Sequence, residues 1–304
     1  MLISNGTSPL PNGFVATVMP PLTRILIESQ AVDVVDSGCR ALKDIVRLDV
    51  SQLLQWHDAA GKSGMEITLI IIDRLLRPEF SESAAMEIGG LAAELVDRAG
   101  DQLGPLLPEL LRAVAARLAT ASLPPFAQSL ILVFARLVLK NQAKDVVDFL
   151  SSLTLENRNG LEVVMSAWLT HSINFSGYEE IHQNVLALCR LYHLQDPRLA
   201  QTMVQGDLII PETTRILTRS RARENPDQYT SVSVPLKIIK LLIQELGPNS
   251  AEQANAAKYP YKPADDDAGS GDEEWEDVGE GLSIPGMSRE GMFPLGRNPA
   301  LFTS

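Results

Sequence analysis

The sequence predicts an all-α protein, an α-solenoid of HEAT-type helix pairs with a disordered acidic C-terminal segment. Three observations predict it. Leu, Ala, Val and Ile dominate the 304 residues, while aromatics are only 5%, a mix better suited to helix packing than to a β-sandwich. Apolar residues recur at helical spacing in successive stretches from about residue 15 to 153. Comparable apolar positions in alternate stretches, Leu26, Leu69, Leu107 and Val147, lie 43, 38 and 40 residues apart, the period of HEAT and armadillo helix pairs. The competing account is an irregular bundle with accidental spacing.

The first stretch is expected to be helical from Met19 through Pro20-Pro21 to Glu28-Ser29. The second runs from Ala31 to about Leu48, with Val32, Val35, Cys39, Leu42, Ile45 and Val46 on one face. Met65 to Leu76 and Ser83 to Ala99 form a second pair, Leu103 to Ala119 and Pro125 to Leu139 a third, and Gln142 to Leu153 starts a fourth. Small residues in one second helix, Ala84-Ala85, Gly89-Gly90 and Ala92-Ala93, suit the close approach that stacked layers require. Leu161 to Leu169 and Tyr178 to Leu194 are less regular helices, and Asp196-Pro197 is a turn or a helix start. A polar connection is expected over 205 to 232, followed by a last amphipathic helix from Pro235 to Leu246, stopped by Gly247-Pro248.

These elements imply a flexible lead-in over 1 to 14, a solenoid over 15 to 248, and a disordered segment over 249 to 304. The uncharged run at 2 to 23 is interrupted by four prolines and has no basic region before it, so it does not resemble a signal peptide. The uncharged stretch from Leu118 to Ala135 contains Pro124-Pro125 and Gln128, which argues against a membrane span. Two cysteines cannot make a disulfide framework, which fits a reducing compartment.

The net charge is -12, from 26 basic and 38 acidic residues. Direct nucleic-acid binding is disfavoured, because phosphate binding needs an excess of Lys and Arg. Basic proteins are the natural partners. Nine acids crowd residues 264 to 280 without a Lys or Arg: Asp265, Asp266, Asp267, Asp272, Glu273, Glu274, Glu276, Asp277 and Glu280. Without them, 29 acids face 26 bases, so the helical body is nearly neutral. A solubilising tail is the plain reading. Trp275 inside the run favours a sleeve for a basic partner, since purely solvating tails carry few aromatics. Arg215, Arg219, Arg221 and Arg223 form a basic loop, either a localisation or phosphate-contact patch or, on the plainer and favoured reading, a solvated loop pairing with acids downstream.

No catalytic or cofactor motif is present: no GxSxG, no phosphate loop, no GxGxxG after a strand and no HExxH. No enzyme activity and no cofactor are therefore expected. His182, Cys189 and His193 share a helix face, but their spacing matches no common zinc site and a fourth ligand is lacking. A half-buried stripe explains them better, so no metal is expected. His57 and His171 sit near helix ends, where they can cap carbonyls. Asn5-Gly6-Thr7 and Asn174-Phe175-Ser176 match the short glycosylation pattern.

Several stretches resemble the karyopherin-β nuclear import receptors of the importin-9 type. They are Phe126 to Val138 (FAQSLILVFARLV), Leu161 to Trp168 (LEVVMSAW), Ile216 to Tyr229 (ILTRSRARENPDQY), and Val234 to Leu246 (VPLKIIKLLIQEL). Asp272 to Asp277 (DEEWED) resembles that family's acidic loop with its embedded tryptophan. The resemblance covers roughly residues 15 to 280 and corresponds to an interior-to-C-terminal portion. It implies a HEAT superhelix that carries basic cargo, such as histones and ribosomal proteins, past nucleoporins between cytoplasm and nucleus at the nuclear envelope. Ran GTPase would govern unloading, although the family's N-terminal Ran-binding repeats have no counterpart here. The acidic residues 265 to 277 named above would contact cargo. A scaffold or regulatory subunit without a transport role shares the same fold, and an α-helical enzyme is the remote alternative.

Overall fold

The computed structural model describes residues 8–209 and 228–245. All of them lie in one compact unit spanning Met1–Asn255. The helices are α1 (Phe14–Glu28), α2 (Val32–Gln55), α3 (Gly64–Leu76), α4 (Ile88–Leu103), α5 (Leu106–Ala119), α6 (Pro124–Leu137), α7 (Ala143–Ser152), α8 (Gly160–His171), α9 (Tyr178–His193) and α10 (Pro197–Gln201). A further helix, α11, occupies residues 234–245. Two small antiparallel sheets accompany them: β1 (Thr154–Leu155) with β2 (Arg158–Asn159), and β3 (Met203–Leu208) with β4 (Tyr229–Ser233). Among the described residues no strand occurs between Val15 and Leu153, and no helix is long and apolar enough to cross a membrane.

The helices pack in two rows. First helices α1, α3, α5 and α8 are successive neighbours, and second helices α2, α4, α6 and α9 form the adjoining row. This is the α-solenoid that the 40-residue period predicts. Between the rows runs a continuous apolar core that includes Leu26, Leu42, Ile71, Leu91, Phe126, Phe134 and Trp168. The fourth place is a correction. Val147 lies on α7, but the position beside α5 belongs to α8. The chain leaves α6 through a five-residue π segment, Val138–Gln142, with Asn141 at φ 67, so α7 is an inserted helix leaning on that segment and on α8. A spacing count cannot distinguish an inserted helix from the next one in the row.

Local chemistry sets the helix boundaries. The first helix starts five residues earlier than expected, at Phe14. Pro20 and Pro21 lie inside it on the exposed side, where the carbonyls they free face water. Residues 8–13 are tied to α2, since Gln52 donates to the carbonyls of Leu10 (3.4 Å) and Pro11 (3.2 Å) and accepts from the Val15 amide (2.9 Å). α2 kinks at Asp49 (φ -156, ψ 72) near its expected end and continues to Gln55. There the Asp49 carboxylate accepts from the Gln52 amide at 3.0 Å and restarts the helix. Ser63 and Glu66 form a reciprocal capping box on α3.

The expected polar connection over 205 to 232 needs correction as well, because its two ends are paired strands. Met203 faces Ser233, Val204 faces Val232 and Gln205 faces Ser231, with an irregularity before Leu208 and Tyr229 pair. Val204 and Gly206 turn inward, and β3 packs on α8. The pairing links segments too far apart in sequence for a local pattern to reveal. The basic loop, the Gly247-Pro248 stop and the acidic run lie outside the described residues.

Candidate protein-binding face

The second-helix row presents a chain of polar side chains that bridge successive helices. Arg40 on α2 donates to Asp36 at 3.0 Å and lies 3.3 Å from Glu87, the residue preceding α4. Lys43 reaches the other Glu87 oxygen at 2.5 Å. From α4, Glu94 accepts from Arg136 of α6 at 2.6 Å, and Arg136 also donates to Gln183 of α9 at 3.2 Å. Lys140 reaches back to Asp97 at 2.9 Å. Arg190 of α9 donates to the Asn141 side chain (2.9 Å) and to the carbonyls of Val138 (3.3 Å) and Leu139. The π segment disturbs the helical hydrogen bonding that would otherwise engage those carbonyls. Apart from the Arg40–Asp36 pair within α2, each bridge joins one second helix, or the segment flanking it, to the next.

Of these side chains, Arg40, Lys43, Glu87, Glu94 and Arg136 edge a groove of about 460 Å³ that is also lined by Ser176 and Glu180, at the start of α9. Along α2 and α4 the cation is the more exposed partner: Arg47 is 42% exposed over Asp44 at 9%, and Arg98 48% over Glu94 at 10%. The acids lie beneath and neutralise the cations from below. The α9 end differs. Tyr178 is 85% exposed, Glu179 and Glu180 stand in the first turn beside it, and among the described residues no cation is paired with either. The Tyr178 ring stacks on His182, with centroids 6.1 Å apart and planes 11° from parallel.

Cys39 lies beneath the α2 end. Burial first, then the carboxylates of Asp36 and Glu87, push its thiol up to about 12, so it is not a reactive thiolate. His193 Nδ1 lies 2.7 Å from the Cys189 carbonyl and His57 Nδ1 lies 3.0 Å from the Gln55 carbonyl, the helix-end role expected for His57. His182 is drawn to Tyr178 instead. No cluster of His, Cys, Asp or Glu suited to a metal ion occurs among the described residues. The acidic residues Asp265, Asp266, Asp267, Asp272, Glu273, Glu274, Trp275, Glu276 and Asp277, and the basic loop of Arg215, Arg219, Arg221 and Arg223, fall outside the described residues.

Sequence reasoning missed the bridged face itself. Its signal was present: Lys43 and Glu87 are separated by 44 residues, Glu94 and Arg136 by 42, and Asp97 and Lys140 by 43. Opposite charges set one repeat apart on successive second helices are the pattern that would have revealed it.

No family model matches the sequence. Among individual proteins, it is 37% identical to importin subunit beta-5 of Schizosaccharomyces pombe over 248 residues, covering 80% of this chain and 24% of the relative. It is 35% identical to importin subunit beta-5 of Saccharomyces cerevisiae, covering 70% of this chain and 21% of that protein. Importin-9 of Drosophila melanogaster is 28% identical over 78% of this chain and 24% of its own length. The chain thus spans about a quarter of the length of these relatives. With two rows of paired helices built from a sequence shared with three importins, the chain is a homologue of the karyopherin-β importins over about four-fifths of its length.

Proposed function

We propose that this chain is the cargo-binding portion of an importin-9-like nuclear transport receptor. It would carry basic proteins such as histones and ribosomal proteins into the nucleus, with Ran dependence and nucleoporin contact belonging to the longer receptor. The observation that carries this reading is the similarity to importins over most of the chain. Its charge distribution supports it: nine carboxylates are gathered in residues 264 to 280, while the remainder is nearly balanced. So dense a run of carboxylates attracts a cationic surface over a distance, without needing a fixed pairing geometry. The second-helix row would supply the shaped surface and the acidic run the long-range attraction. The protein would move between cytoplasm and nucleus through the nuclear pore, acting by binding rather than by catalysis.

The test is titration calorimetry of the full chain with a core-histone dimer at low and high salt. Affinity should fall steeply with salt, because the Debye length shrinks to about 3 Å at 1 M. Changing Asp272, Glu273, Glu274, Glu276 and Asp277 to Asn or Gln should weaken binding at low salt. Unchanged affinity would remove the acidic run from the mechanism. Absence of histone binding by the unaltered chain would instead favour a scaffold without a transport role.

A further inference from the structure

We propose that copies of this chain associate head to tail, the open flank of α2 in one copy packing on the unpartnered apolar face of α11 in the next. The inference is independent of the cargo reading. α11 is apolar on two opposite faces. Val234, Ile238 and Leu241 are buried, while Leu236, Ile239 and Ile243 follow one another at spacings of three and four on the other side. Ile239 is half-buried and Ile243 is 64% exposed. A helix apolar on all sides is ordinarily enclosed on all sides. The patch continues beyond α11. Ile173, 63% exposed, lines a cavity of about 140 Å³ with Val185 and Leu188 of α9 and Leu241 and Leu242 of α11.

Inside the stack, such a face is closed by the flank of a neighbouring helix. α4 lies between α2 and α6, and α6 lies between α4 and α9. The matching open flank at the other end belongs to α2. Arg40 and Lys43 turn one edge of α2 toward Glu87 and α4, and a Cβ at Gly38 would meet Leu22 and Leu26 of α1. Val34, Ala41 and Leu48, at seven-residue intervals, run along the remaining edge. Val34 is 43% exposed, and Ala41 and Leu48 are half-buried. The Ser8 hydroxyl donates to the Leu48 carbonyl at 2.9 Å, so the lead-in segment meets this edge at its Leu48 end and leaves Val34 open. Leu236 and Ile243 repeat at the same interval of seven, so the two stripes can lie along one another at the shallow crossing of stacked helices. Neither stripe holds a charged residue. A stack of this kind stays single when its end faces are polar, and both of these are apolar. Because the two faces differ, the contact is heterologous. Each pair keeps one free face of each kind, and the row grows instead of closing.

The test is sedimentation velocity of the full chain over a wide range of concentrations at high salt, where attraction between charges is screened and apolar contact persists. The weight-average mass should climb with concentration past that of a pair. Ile243→Asp and Val34→Asp, both at exposed positions, should each hold the chain as a monomer with unchanged circular dichroism. An equimolar mixture of the two variants should form a pair and stop there, since one intact α2 flank meets one intact α11 face. Pairing in the mixture also shows that neither variant has misfolded. A chain that stays monomeric at every concentration would overturn the proposal, as would variants that fail to pair when mixed. Growth retained by Ile243→Asp would overturn it too. A Val34→Asp variant that still dimerises would replace it with α11 pairing to its own copy about a two-fold axis.

Discussion

Trp168 shows how a single side chain ties the two rows together. It is fully buried on α8, and its indole N–H donates to Asn184 Oδ1 of α9 at 2.7 Å. Asn184 is itself only 4% exposed, so removing the donor leaves a buried acceptor that water cannot serve. Trp168→Phe should cost about 2–4 kcal/mol, the sum of a lost buried partner and a small cavity. Urea unfolding followed by circular dichroism measures it. The companion change Trp168→Phe/Asn184→Leu should recover part of the loss, since replacing both partners with apolar groups removes the orphaned acceptor. Gly89 is a second case. A Cβ there would sit 2.1 Å from the Ser129 backbone carbon, whereas one at Gly90 meets side chains alone, Lys43 at 3.3 Å and Glu87 at 3.7 Å. Gly89→Ala should therefore force α4 away from α6 and destabilise by more than about 2 kcal/mol. Gly90→Ala should be close to neutral, because helix propensity favours Ala over Gly by about 1 kcal/mol. The sequence announced the Gly89-Gly90 pair as a close-packing site, but only the neighbouring backbone shows which of the two glycines is obligatory.

At the scale of the element, the start of α6 depends on a residue from another repeat. Its N-cap, Leu123, has no capping side chain. The carboxylate of Glu82 does the work instead, accepting from the Leu123 amide at 2.7 Å and from the Ser122 amide at 3.1 Å. It also meets Arg117 of α5 at 3.1 Å, and the Arg117 guanidinium lies 4.8 Å from the centroid of the Phe126 ring. Burial pushes the Glu82 carboxyl up, but the amides of Leu123 and Ser122, the Ser122 hydroxyl and Arg117 together outweigh it and hold the group below its ordinary range. A carboxyl depressed in the folded state stabilises fully above its unfolded pKa of about 4.3 and loses that contribution as pH falls through the lower folded value. Glu82→Gln should therefore be less stable than the unaltered chain at pH 7, with the gap closing as the pH falls below about 4. Melting temperatures compared across that range check the sign. Glu82→Ala should cost about 3–5 kcal/mol, because Arg117 would remain buried without its counter-ion. The start of α6 was legible from Pro124-Pro125, but that of α4 was not: expected at Ser83, it lies at Ile88, after a run of turns over 82–87. The cap was not legible either, because its donor and acceptor belong to different repeats and no local spacing links them.

For the described molecule as a whole, the same division holds between what a period can show and what only contact shows. The solenoid was legible because each helix pair buries one apolar stripe, and the stripe is written into the sequence at fixed intervals. The inserted α7, the β3–β4 pairing and the charge bridges were not, since each depends on a partner 20 or more residues away or on a change of row. Stacking of this kind makes stability a sum of nearest-neighbour terms rather than a single cooperative quantity. The interior neighbours α4 and α6 approach at backbone distance through Gly89 and have helices of the row on both sides. By contrast, α11 buries only one side, through Val234, Ile238 and Leu241, exposes Leu236 and Ile243, the latter at 64%, and hydrogen-bonds to β3 through Lys237 and Lys240. Amide hydrogen exchange followed by mass spectrometry should show the slowest exchange in α4 and α6 and much faster exchange in α11. Gly89→Ala supplies the decisive comparison. If the stack is quasi-one-dimensional, this change should accelerate exchange in α4, α6 and their immediate neighbours while leaving α11 at its original rate. Uniform acceleration along the chain would show a single cooperative unit instead. The bridges on the second-helix row would then couple all the repeats together, not merely adjacent ones.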